Sequence, residues 1–154
     1  GLFSSRININ LREDHGYTYG ANSQFVFRRT PGPFVVATGV RTDVTAPAVS
    51  EILKELRRMA ETEVSIEELT LAKDSFVRAL PSEFETSGSV DYYAKLGARI
   101  SAVDVAQVRA AAQKYLPLDK MIVVAVGDRS KILAGMQRLG LGTPENRNTD
   151  GTLK

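Results

Sequence analysis

Arg12 and Tyr19 are the side chains whose type and spacing best suit them to chemistry. They stand seven residues apart in Leu11-Arg12-Glu13-Asp14-His15-Gly16-Tyr17-Thr18-Tyr19-Gly20, which reads as a helix end, a glycine stop and the start of a strand. Guanidinium and phenol are both hydrogen-bond donors. If the strand doubles back on the helix, the two converge on one cavity. There they can hold a carbonyl oxygen, or the oxyanion formed when water attacks it. One such donor in a partly dry site is worth roughly 3 kcal/mol of transition-state stabilisation. The residue types leave a structural alternative open, in which Arg12 pairs with Glu13 or another surface acid and Tyr19 packs in the core. Spacing alone favours that alternative.

The other chemistry-bearing types are sparse. His15 is the single histidine and there is no cysteine. An H-x-x-E-H metal motif needs two histidines, so this chain cannot carry it, and it is expected to hold no metal of its own. Glu13-Asp14-His15 does not substitute, because adjacent helical residues point about 100° apart and do not converge on an ion. His15 fits better as an exposed residue near a helix C-terminus, where positive charge is favoured. No phosphate-binding glycine motif is present. Without cysteine there are no disulfides and no thiol catalysis, a composition that both cytoplasm and periplasm allow.

The 154 residues fit one domain with a respectable core, and 43% hydrophobic with 25% charged residues is ordinary for a globular chain. The net charge of +2 comes from bases interleaved with acids, which gives no case for nucleic acid or an anionic membrane. No apolar run approaches the roughly 18 residues of a membrane span. The chain starts at Gly1-Leu2-Phe3, without methionine or a visible signal peptide and inside a helical pattern. That is the expectation for a processed or excised piece.

The elements that must position Arg12 and Tyr19 follow from periodicity. Phe3, Ile7 and Leu11 make a narrow helical stripe, and Gly16 sits where a C-cap belongs. From Tyr17 the period changes to two: Tyr17, Tyr19, Ala21, Phe25 and Phe27 share one face of a strand reaching Arg28. Thr30-Pro31-Gly32-Pro33 signals a turn, and Phe34–Arg41 is the returning strand of a hairpin. Thr45 is the expected N-cap of a helix with Pro47 in its first turn and Val49, Ile52, Leu53, Leu56 and Met59 on one face. Ser65 and Glu68 form a capping box opening a second helix, punctuated by Pro81. A third runs over Glu83–Arg99 with an interruption at Ser87-Gly88-Ser89. Ser101 and Asp104 start a fourth, with Val105, Val108, Ala112 and Tyr115 inward. Met121–Val126 is a continuous apolar run, the pattern of a central strand. Gly127-Asp128 turns the chain into a short helix ending near Leu139-Gly140. Residues 141–154 are expected to form a disordered tail. The fold class is therefore α+β, a small, mostly antiparallel sheet with several helices on one face. Three strands make a thin sheet, so further N-terminal strands are expected to be missing.

Residues 1–140 resemble the non-catalytic domain of the insulinase-like (inverzincin) zinc metallopeptidases. Phe3-Ser4-Ser5-Arg6 is similar to that family's helix start, and Leu11-Arg12-Glu13 through Tyr19-Gly20 is similar to its arginine–tyrosine segment. Glu68-Leu69 with Ala72-Lys73, and the run Ile122–Asp128, resemble later landmarks in the same order. The resemblance implies that Arg12 and Tyr19 are substrate-binding and that the chain helps to enclose a peptide or protein substrate. Zinc, which polarises the carbonyl and activates water, would sit in an H-x-x-E-H-bearing domain or partner chain. It implies that the isolated chain is inactive and slightly favours the periplasm. Similar segments occur in both catalytic and non-catalytic partners, and the family's domain normally begins upstream of Gly1. A catalytically silent scaffold or dimerisation domain of the same fold is the alternative. The sheet edge left by missing strands is expected to promote a homo-oligomer.

Overall fold

In the computed structural model, which describes residues 5–87 and 90–154, the chain enters through a short helix, α1 (Arg6–Asn8). It widens directly into a π-helical stretch, Ile9–Asp14. Ile7 and Leu11 are buried, Leu11 completely, as the four-residue spacing predicts; Phe3 lies outside the described residues. The His15 N–H reaches back five residues to the Asn10 carbonyl at 3.2 Å, and the Tyr17 N–H reaches the Leu11 carbonyl at 2.7 Å. Gly16 ends the helix at φ +60°, the left-handed conformation expected of a glycine stop.

The hairpin follows. β1 (Ala21–Phe25) pairs antiparallel with β2 (Phe34–Thr38), placing Ala21 opposite Thr38 and Phe25 opposite Phe34. Both strands are shorter than the periodicity suggests. Over Tyr17–Gly20 no ladder forms: the Tyr17 N–H goes to the Leu11 carbonyl and the Gly20 N–H to Thr18 Oγ1. At the far end Val26 N–H bonds Pro33 O at 2.9 Å and closes the loop. Gly32 lies so near the Val26 carbonyl that a Cβ would come within 1.7 Å of its oxygen, so only glycine fits. The expected common face fails at both ends, since Tyr19 is 99% and Phe27 92% exposed. One precedes the ladder and the other follows it, so neither is held to the pleat.

A 3-10 turn at Thr42–Val44 runs straight into α2 (Thr45–Glu61). Thr45 is therefore not the N-cap: its hydroxyl donates to the Thr42 carbonyl at 3.0 Å, and Arg41 holds the extended capping position. α3 (Ile66–Ser87) opens on the expected box, with Glu68 N–H to Ser65 Oγ at 3.1 Å and Ser65 N–H to Glu68 Oε2 at 2.9 Å. Pro81 does not end this helix but lies inside it. Proline removes one backbone bond, and the many others of a long helix carry it past that defect. α4 (Val90–Ser101) follows; of the interruption expected at Ser87-Gly88-Ser89, the last two residues lie outside the described ones. α5 (Val105–Tyr115) is capped by Asp104 in a reciprocal box with Gln107, so Ser101 closes the preceding helix and does not start this one. Ala112 is buried, but Tyr115 is exposed and Leu116 takes the inward place expected of it.

Met121–Val126 departs from expectation. Among the described residues the sheet has two strands, and this run is not one of them. Ile122 is 88%, Val124 80% and Val126 95% exposed. An apolar run becomes a central strand only with a ladder on each side and cover on both faces, and it has neither here. α6 (Arg129–Arg138) is capped by Asp128, which accepts from the Ser130 N–H at 3.0 Å, and ends before Gly140 at φ +67°. Beyond it, Arg147 bridges Leu153, and the Arg129 guanidinium bonds the Asn146 side chain at 2.8 Å.

The helices with one antiparallel hairpin make this an α+β chain. It divides into two units, one running to Lys54 and taking up Ile122–Lys154, the other Glu55–Met121. Ile7, Leu11, Val44 and Ala48 are buried in the first; Leu56, Ala112 and Leu116 in the second. Among the described residues no helix is long and apolar enough to cross a membrane.

Candidate functional site

Arg12 lies in the π-helical stretch and Tyr19 in the bend before β1, so both fall on one connection of the first unit. The Arg12 side chain is half-buried, 34% exposed, with its guanidinium 3.6 Å from the Glu13 carboxylate. Tyr19 stands in solvent, which removes the alternative that it packs in the core. The Arg12–Glu13 contact is the one the structural alternative asked for. An ion pair between neighbouring, partly exposed residues contributes little energy.

Buried polar residues hold this connection. Asn8 and Asn10 interleave with Ile7 and Leu11 and are as buried as Ile7. Asn8 Oδ1 accepts the Ala21 N–H at 2.6 Å, tying helix to strand across the connection. Asn10 donates to Glu51 Oε2 of α2 at 2.9 Å. That bond, with Lys54 at 3.1 Å, holds the Glu51 carboxyl below the usual carboxylate range against the opposing effect of its burial. His15 Nδ1 lies 2.9 Å from the Asn10 carbonyl, and its ring leans on Tyr17 at 4.9 Å between centroids. Arg41 donates to the Gly16 carbonyl at 3.0 Å. Thr18 and Thr38 bond to each other and to Gly20 and Gly39. Sequence reasoning picked Arg12 and Tyr19 and missed this support. The only available signal was asparagine at two positions beside an apolar stripe.

In the second unit an open apolar hollow is lined by Leu96, Ile100 and Val103 with Arg99 and Gln107. It includes neither Arg12 nor Tyr19, and the Gln107 amide is committed to the α5 cap.

Residues 1–76, which contain both Arg12 and Tyr19, match the family model described as the peptidase M16 inactive domain. The matched span is just under half of the chain, and over it the sequence is similar to the peptidase M16 inactive-domain family. The chain is also similar to the crystal structure of a peptidase M16 inactive domain from Pseudomonas fluorescens, at 23% identity with a TM-score of 0.69. That likeness covers 78% of this chain and 32% of the other, so this chain spans about a third of its length. At that identity it shows a shared fold. No protein of curated function matches the chain.

Zinc is the metal that the insulinase-like resemblance implies for an assembled enzyme, and the residues here do not fit it. A zinc site takes at least three converging His, Cys, Asp or Glu ligands. Among the described residues no group of three such side chains is placed to hold a metal.

Proposed function

We propose that this chain is the non-catalytic domain of an insulinase-like zinc metallopeptidase that helps enclose a peptide and presents Arg12 and Tyr19 to it. An H-x-x-E-H-bearing domain or partner chain holds the zinc. One observation carries the reading: within the span matching the M16 inactive domain, Tyr19 is 99% exposed on a connection pinned by buried side chains. A phenol left in solvent on a backbone pinned at both sides is available to a ligand. Arg12, half-exposed on the same connection, supplies the charged donor. Together they can hold a peptide carbonyl, or the oxygen that gains charge when that carbonyl is attacked.

The test is kinetic, in the enzyme assembled with its H-x-x-E-H-bearing partner and assayed on a quenched fluorescent peptide. Arg12→Ala or Tyr19→Phe lowers kcat by about a hundredfold, the scale of one lost oxyanion-type donor. Zinc content and melting temperature stay near wild type. The double variant loses less than the sum of the singles, because both donors act on one short stretch of peptide. Full activity in both single variants sinks the reading. The Arg12–Glu13 pair favours one second reading, a silent scaffold domain of the same fold in which Arg12 is a surface ion-pair residue. That reading predicts wild-type kinetics in every variant.

A further inference from the structure

With its ring in solvent, Tyr19 takes its direction from the backbone on either side, and that backbone is clamped by a threonine. The Thr18 hydroxyl lies 2.7 Å from the Gly39 carbonyl and 2.9 Å from the Gly20 carbonyl, and the Gly20 N–H lies 3.1 Å from Thr18 Oγ1. The Thr38 hydroxyl is 3.0 Å from both Thr18 Oγ1 and the Gly20 carbonyl. A hydroxyl offers one hydrogen and two lone pairs. One assignment fills all three at Thr18: it donates to Gly39 and accepts from the Gly20 N–H and the Thr38 hydroxyl. The residue before Tyr19 thereby holds the residue after it and fastens both to the end of β2. Asn8, bonded to the Ala21 N–H at 2.6 Å, fixes the next residue along.

We propose that Thr18 is a positioning residue for Tyr19, its hydroxyl locking the bend so that the phenol meets a bound peptide. The inference rests on the reading above that Tyr19 contacts peptide. Thr18 belongs to neither helix nor ladder. Most of its bonds lie where water can replace them, so loss of the hydroxyl should loosen the bend more than it unfolds the chain.

Two variants separate these effects. Thr18→Val keeps the branched shape and loses the hydroxyl, whereas Thr18→Ser keeps the hydroxyl. Amide hydrogen exchange is read by NMR on the chain, and kcat and KM on the assembled enzyme with a quenched fluorescent peptide. In Thr18→Val, exchange at Gly20 rises and kcat falls, each roughly tenfold, the scale of one ordinary hydrogen bond. KM and melting temperature change little, and Thr18→Ser restores both readouts. In a Tyr19→Phe background, Thr18→Val costs no further activity. Unchanged exchange at Gly20 overturns the proposal. So does an undiminished loss in the Tyr19→Phe background, or wild-type kcat for Thr18→Val when Tyr19→Phe is impaired. Wild-type activity for Tyr19→Phe itself identifies a different failure, that of the peptide-contact reading, and the positioning role falls with it.

Discussion

Asn10, two residues before Arg12, bonds Glu51 of α2, and that bond has a pH signature. Asn10 donates to a carboxylate that is 18% exposed, and this bond is the largest cause of the lowered Glu51 pKa. A group whose folded pKa is depressed contributes stability that is fully present above its unfolded pKa, about 4.3 for glutamate, and lost as pH falls through the folded value. Glu51→Gln keeps the shape and removes the charge. It is expected to melt below wild type at pH 7, and the gap should close as pH falls below about 4. Melting curves across pH 3 to 7 check this; a gap of constant size would assign the loss to packing. Arg12 and Tyr19 can be singled out from the sequence as candidates because the chemistry proposed for them belongs to the side chains themselves. Asn8 and Thr18 cannot. Their roles exist only through partners at Ala21 and Gly39, brought near by the hairpin.

At the scale of elements, legibility followed the range of the bonds that define each end. The Ser65/Glu68 box, the Asp104 helix start and the Gly16 stop all close within a few residues, and all stand where the sequence puts them. Thr45 misled because the Thr42–Val44 turn, one step upstream, took over the start of α2. Pro81 misled because proline disfavours a helix interior without forbidding it. Gly16 allows a quantitative test. Nothing lies within 4 Å of a Cβ built there, so Gly16→Ala meets no clash and changes only the backbone preference. The variant should lose about 1–2 kcal/mol, the cost of left-handed backbone for an L-residue. Gly39 is equally open but has no such φ, so Gly39→Ala should stay within about 0.5 kcal/mol of wild type. Equal losses in urea titrations would show that Gly16 is not strained by a side chain.

For the whole molecule the decisive feature is what the second half of the sequence fails to pair. Val123 is 38% exposed, but Ile122, Val124 and Val126, alternate residues of the run, are each at least 80% exposed. Such a run resembled a central strand because composition records the demand for cover, while the cover itself comes from other segments. An apolar, β-prone run of this kind without a ladder partner is an association surface. The chain is therefore expected to self-associate as its concentration rises, through Met121–Val126 pairing with a second copy. Val124→Lys places a charge at the centre of the run and should return the chain to monomer. Because Val124 buries little, the same change should alter stability by no more than about 0.5 kcal/mol. Sedimentation velocity over a concentration series decides between the outcomes. If wild type stays monomeric throughout, the run is not an association surface. If Val124→Lys associates as strongly as wild type, the contact lies elsewhere on the molecule, and a lysine at Phe27, a nearly bare apolar side chain in the hairpin loop, becomes the next variant to measure.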